Sequence, residues 1–421
     1  QLKALSFNRL AFIVFLILFR FSLDASYVFV ISKVFAYDGF FFSFNAQQYA
    51  FSWVVYGLSF LFVRDRLYKV SDYFFSTALL SVLAPLTSLF GLDAARPFVP
   101  VLVVFFSIYF IYLFTRVKFI SFDDLPVVHS GRAIGIGISV FFVGFLVVWY
   151  FVSGAALNLD FSRVYEYRAE NAELSGGGIL AYTNNWTYQI FNVFLMALAL
   201  FYRRYAWFFV LLAIQVYFFA ASTHKTVLFL PVLLVGVWYY FRKYSSLAIM
   251  PFAFTLIISL TLFSYFFLDD LWMSSLFSRR VFFVPANLTF VYFDFFANNP
   301  NVYWSNSVLS YFVAYPYNLS LTHVVGGYIG RDGMGANNGF VASGYAHAGF
   351  FGVFLYVVII GAVLRIINDL TYNSMPLWLA VSLCVVPMRA LLISSDLFTV
   401  MLTHGFIVAI LLTYLVRVRN V

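Results

Sequence analysis

Charge is what this chain of 421 residues has least of: charged side chains make up 10% of it, where a soluble domain carries about a quarter. That scarcity excludes an ordinary set of two or three soluble domains. A single cysteine, Cys384, lies in an apolar run, which excludes a disulfide framework, a CxxC redox site and a cysteine-based zinc site. No paired His/Asp/Glu spacing marks a metal, and no cofactor is expected. The glycine-rich run from Gly326 to Gly339 lacks the spacing and the Gly-Lys-Ser/Thr ending of a P-loop. No period and no matching pair of broken helices recurs, which weakens an inverted-repeat transporter.

What is present is apolar and aromatic. Hydrophobic residues are 63% of the chain and aromatics 23%, with 57 Phe and 30 Tyr. The chain is expected to be an all-α polytopic membrane protein forming one integral membrane domain over residues 1–421. A bilayer core needs about 20 apolar residues per helix. About twelve segments meet that need, near 10–32, 46–63, 73–90, 98–115, 133–153, 179–201, 205–222, 226–241, 246–268, 345–364, 376–393 and 398–416. Twelve spans put both termini on one side.

The formal charge of +8 resembles a nucleic-acid signal until its positions are read. Fifteen of the 25 basic residues fall at the ends and in alternate loops: Lys3, Arg9, Arg64, Arg66, Lys69, Arg116, Lys118, Arg132, Arg203, Arg204, Arg242, Lys243, Arg365, Arg417 and Arg419. The positive-inside rule makes that face, and both termini, cytoplasmic. No nucleic-acid partner is expected, and no cleavable signal pattern precedes the first span.

Ten basic residues break the rule, and they carry the functional information. Arg20 and Asp24, spaced i,i+4 within the first span, read first as a structural ion pair. Arg389 follows Pro387, with Asp396 seven residues on; the same two roles, ion pair or function, apply there. Lys225 sits in the tight turn between the seventh and eighth spans, where it either snorkels or meets a ligand. Two long loops lie on the other face, at 154–178 and 269–344. The first holds Arg163 and Arg168 among three glutamates, a pattern that favours a self-neutralising face. The second opens with adjacent Arg279 and Arg280 ahead of an aromatic stretch expected to form an amphipathic helix. With no acids near except Asp269 and Asp270, that pair points to a phosphate or an anionic headgroup. Arg331 follows in the glycine-rich run, and Asp294, His323 and His347 are the acid–base candidates.

Three passages resemble a known family: SRRVFFVPANLTFVYFDFF from Ser278, STHKTVLFLPVLL from Ser222, and ANNGFVASGYAHAGFFGVFLY from Ala336. With the span layout and the two long loops they resemble the Wzy-type O-antigen polymerases, which join oligosaccharide repeat units of bacterial envelopes. The resemblance implies a GT-C-like, inverting, metal-independent glycosyltransferase of the bacterial inner membrane, acting at its periplasmic face. Donor and acceptor would be glycans on undecaprenyl pyrophosphate, with a polysaccharide co-polymerase as a chain-length partner. Loop arginines in this family hold pyrophosphate, which the resemblance carries to Arg280 first, then Arg279. The His-Asn pair of related ligases is replaced by Asn337 and Asn338, which counts against an O-antigen ligase. A flippase of lipid-linked oligosaccharide is the alternative from another class.

Overall fold

The computed structural model describes residues 9–117, 122, 125–160 and 178–418. Among them there is no strand, only two isolated β-bridges. The helices are α1 (Arg9–Val34), α2 (Ala46–Leu58), α3 (Val70–Leu92), α4 (Val99–Phe114), α5 (Gly131–Val152) and α6 (180–201). They continue with α7 (Tyr205–Ser222), α8 (Lys225–Phe241), α9 (Ile249–Leu268), α10 (Ser274–Asn298) and α11 (Leu321–Tyr328). The last are α12 (Phe340–Thr371), α13 (Leu377–Ile393) and α14 (Leu397–Val416).

Eight helices among the described residues are long and apolar enough to cross a membrane: α1, α3, α5, α7, α9, α10, α12 and α14. Twelve are not shown. Of the other five expected spans, α4, α8 and α13 are apolar but of 16 to 17 residues, α2, at 13 residues, is about 20 Å long, and α6 is long enough but, with Asn184, Asn185, Gln189 and Asn192 along it, is not among the qualifying helices. One of the eight, α10, lies inside the stretch expected to be loop. Both of its ends are tied to the turn around 328–331: Arg279 near its start and Arg331 share the Asp38 carboxylate, while Tyr328, three residues before Arg331, holds Asp294 near its end.

The bundle is organised around two helices with almost no free face. In α13 every residue from Trp378 to Ile393 is buried except Arg389, and α3 is nearly as enclosed. Both are apolar all round, as interior helices must be. Around α13 pack α3, α6, α8, α12 and α14, while α5 and α9 sit outside with most of their surface open.

Polar residues inside the bundle repair backbone defects. Pro231 lacks an N–H, so the carbonyl of Val227 loses its helical partner. The Gln215 amide supplies one at 3.0 Å and also donates to the Tyr188 carbonyl at 2.9 Å, within the π turn Thr187–Phe191 of α6. Asn192 completes the set by donating to the Gln215 side-chain oxygen at 2.6 Å.

The loops sort onto two faces. One gathers 64–72, 115–117, 122, 125–128, 243–247, 365–374 and 414–418: Leu67 N–H bonds to Ser245 O, Asn368 to Ser71, Arg417 to Phe122 O and Val418 N–H to Ser374 O. This is the face where the sequence clusters its basic residues. The opposite face collects 36–43, 93–96 and the α10–α12 region, and it is closed by a cap.

Candidate functional site

The cap is built on α10 and on the turns that follow it. Leu288, Tyr292, Phe295 and Phe296 of α10 form a second apolar core with Val302, Leu321, Val325 and Ala336, which is why this region folds over the bundle. The last turn seats against α13 at Gly339, where any side chain would collide with the Leu392 carbonyl. The cap therefore ends one turn from Arg389.

Asp38, in the short turn after α1, ties the beginning and end of the cap together. Its carboxylate accepts a hydrogen bond from Arg279 Nε at 2.5 Å, with Arg279 Nη2 at the same distance, and pairs with Arg331 through its other oxygen. Its side chain is 4% exposed. Phe35 lies 4.9 Å beneath the Arg279 guanidinium, and Asn287 of α10 donates to the Asp38 carbonyl at 3.4 Å. Beside this knot, Arg96 bonds to Asp93 at 2.7 Å and to the Gly39 carbonyl at 2.6 Å.

A second network locks the cap to α12 and α14. The Trp304 backbone N–H donates to His347 Nδ1 at 3.1 Å. That assigns the imidazole proton to Nε2, which lies 3.3 Å from Asp396 Oδ1. The Trp304 indole donates to the Tyr356 hydroxyl at 2.8 Å, which donates to the same carboxylate at 2.5 Å. Phe398 N–H closes the other oxygen at 3.0 Å. Burial would push the Asp396 carboxyl up. The donors His347, Tyr356 and Phe398 outweigh it and hold the group below the usual carboxylate range. Tyr303 and Trp304 both take positive φ, of 47° and 55°, a conformation uncommon outside glycine. Local strain is thus held in place by the network.

The sequence candidates divide clearly against this geometry. Arg279 and Arg331 are both engaged by Asp38, an acid that proximity in sequence does not reveal, and the three together keep one net positive charge. Arg389 and Asp396 do not pair with each other, because Asp396 is engaged by His347 and Tyr356. His347 is 1% exposed and both its ring nitrogens are engaged, so its place is that of a clamp. Asp294 is exposed, with Tyr328 donating to it at 2.6 Å. That bond and the carboxylate charge raise the Tyr328 hydroxyl above its ordinary value. His323 is exposed, its Nδ1 2.6 Å from the Ser320 hydroxyl. Lys225 is exposed at the start of α8, beside His224, whose ring faces Tyr188 at 6.3 Å. Arg163 lies outside the described residues.

Among the described arginines singled out in the sequence as breaking the positive-inside rule, two remain open. Arg280 and Arg389 are exposed and have no hydrogen-bond, ion-pair or ring partner among the described residues. The chain distance from Arg389 to Asp396 bounds their separation: four helical residues and three extended ones reach at most about 16 Å. The capped face therefore carries an open guanidinium and a tightly held carboxylate at the outer end of the central helix. Sequence spacing places those two residues near one another, whereas Asp38, Trp304 and Tyr356 carry no sequence signal of their roles. No family model, curated protein or solved structure matches this chain.

Proposed function

We propose that this protein is a glycosyltransferase that lengthens a lipid-linked surface glycan, an O-antigen polymerase of the Wzy type working at the periplasmic face of a bacterial inner membrane. The observation that carries the reading is Arg389. It is the one exposed residue between Trp378 and Ile393 of a helix buried on every side. A guanidinium in that position needs water or an anion, since an unpaired charge among apolar helices is costly. A pyrophosphate linked to a lipid carrier is an anion that arrives from the membrane itself.

In this reading the donor pyrophosphate lies against Arg389, with Arg280 as the second open cation. Its departure from the sugar anomeric carbon is eased by positive charge placed where the leaving group gains negative charge. The acceptor hydroxyl attacks that carbon from the opposite side and gives its proton to a carboxylate. Asp396, ionised and 19% exposed at its side chain, is added here to Asp294 as a candidate for that proton. His347, Tyr356 and Trp304 orient Asp396. Asp38 holds Arg279 and Arg331 so that the cap stays closed over the site and limits hydrolysis of the donor by water.

The test is reconstitution of the purified full chain with lipid-linked repeat units. A ladder of lengthened glycans from the wild type, lost in Arg389→Ala at unchanged thermal stability, supports the reading. A wild type that makes no ladder ends it. Translocation of the lipid-linked oligosaccharide across proteoliposomes without lengthening would establish the flippase instead.

A further inference from the structure

The face opposite the cap holds a cavity of about 420 Å³ where the ends of α6 and α8 meet the start of α13. Its charged wall is Arg203 and Arg242, both exposed, and no carboxylate lines it among the described residues. Tyr244 and Ser245 add hydroxyl groups, while Trp238, Trp378 and neighbouring apolar side chains form the rest. The Arg242 guanidinium lies 4.4 Å from the Trp238 ring.

Two backbone features converge on the same space. Arg203 closes α6 in the left-handed region at φ 56°, with Arg203 N–H on Leu200 O and Arg204 N–H on Ala199 O. That is a Schellman ending, in which glycine is the usual residue. The cap geometry by itself thus does not call for arginine. Across the cavity α13 starts after Pro376 with no side-chain cap; Leu379 and Ala380 N–H turn back to the Pro376 carbonyl, which leaves the amides of Leu377 and Trp378, two residues of the cavity wall, without a helical acceptor.

We propose that this cavity binds the phosphate of an anionic phospholipid, with the aromatic wall covering the start of its acyl chains. The site is independent of the function proposed above, since it lies on the other face. Phosphate chemistry follows from two guanidiniums and free amide donors without a competing carboxylate. A lipid rather than a free anion follows from the wall, because tryptophans at helix ends belong to the interface where headgroups lie. Arginines that merely complement the dipoles of α6 and α8 would leave lipids undiscriminated.

The experiment is native mass spectrometry of the full chain released from mixed bilayers of phosphatidylglycerol and phosphatidylcholine. The wild type is expected to retain phosphatidylglycerol preferentially, and Arg203→Gln and Arg242→Gln each to lower that retention by about fivefold. Equal retention of both lipids by the wild type, or retention unchanged in both variants, overturns the proposal. A second measurement does not depend on folded variants: brominated phosphatidylglycerol should quench wild-type tryptophan emission more than brominated phosphatidylcholine, and equal quenching overturns the assignment. Full displacement of the lipid by millimolar inorganic phosphate would identify a free-anion site and reject the lipid.

Discussion

Two arginines in apolar helices have opposite fates in this protein. Arg20 in α1 is fully buried and spends its donors within the bundle: on Asp24, on Ser52 at 3.1 Å and on Thr87 at 3.3 Å, with Trp53 4.8 Å beneath it. Asp24 is answered in turn by Tyr49 at 2.9 Å and Ser88 at 2.5 Å. Arg389 in α13 is exposed and has no partner among the described residues. A charge whose hydrogen bonds are all made inside the fold is part of the fold. One left open on an otherwise buried helix is available to a ligand, and the number of satisfied donors separates the two more sharply than depth does.

Arg20→Met should have the largest effect on stability, since it strands the Asp24 carboxylate in the bundle. A loss of about 3–5 kcal/mol is expected, read as thermal unfolding in detergent. The double variant Arg20→Met/Asp24→Leu should recover part of it, and a double variant no better than the single would break the comparison. Arg389→Ala should leave the unfolding midpoint near that of the wild type while glycan lengthening falls about 100-fold. A large drop in midpoint would instead place Arg389 with Arg20. Between these extremes lies Asp38→Asn, which removes the charge shared by Arg279 and Arg331. It should cost about 1–3 kcal/mol and speed proteolysis within 300–338; unchanged cleavage would mean the cap is held by its apolar core alone. The smallest effect belongs to a neutral group: Gln215→Leu should cost about 1–2 kcal/mol, and less in a Pro231→Ala background where Val227 O regains its own donor.

The sequence made much of this legible. Clustered basic loops identify one face, and the fold brings Leu67, Ser245, Ser374 and Arg417 together there. The Arg20–Asp24 spacing reads correctly as an ion pair, because i,i+4 on a helix fixes the contact locally. The aromatic stretch after Arg280 is helical as expected, but it is largely buried and belongs to a helix long and apolar enough to cross a membrane, where an amphipathic surface helix was expected. The site was less legible. Arg279 reads as unpaired because Asp38 is 241 residues away. His347 reads as a possible base, whereas the cap buries it against Trp304. The twelve-span count exceeds the eight helices that qualify, since apolar composition alone does not tell a full crossing from a short buried helix such as α13.

By itself, then, the sequence determined that this is a helical protein suited to a membrane and which of its loops share a face. Those properties depend on composition and on periodicities of a few residues, which need no long-range contact to be expressed. Only the tertiary structure decided which charges are spent and which are open. That outcome depends on partners brought together across hundreds of residues: Asp38 takes Arg279 and Arg331, His347 and Tyr356 take Asp396, and the packing around α13 leaves Arg389 exposed.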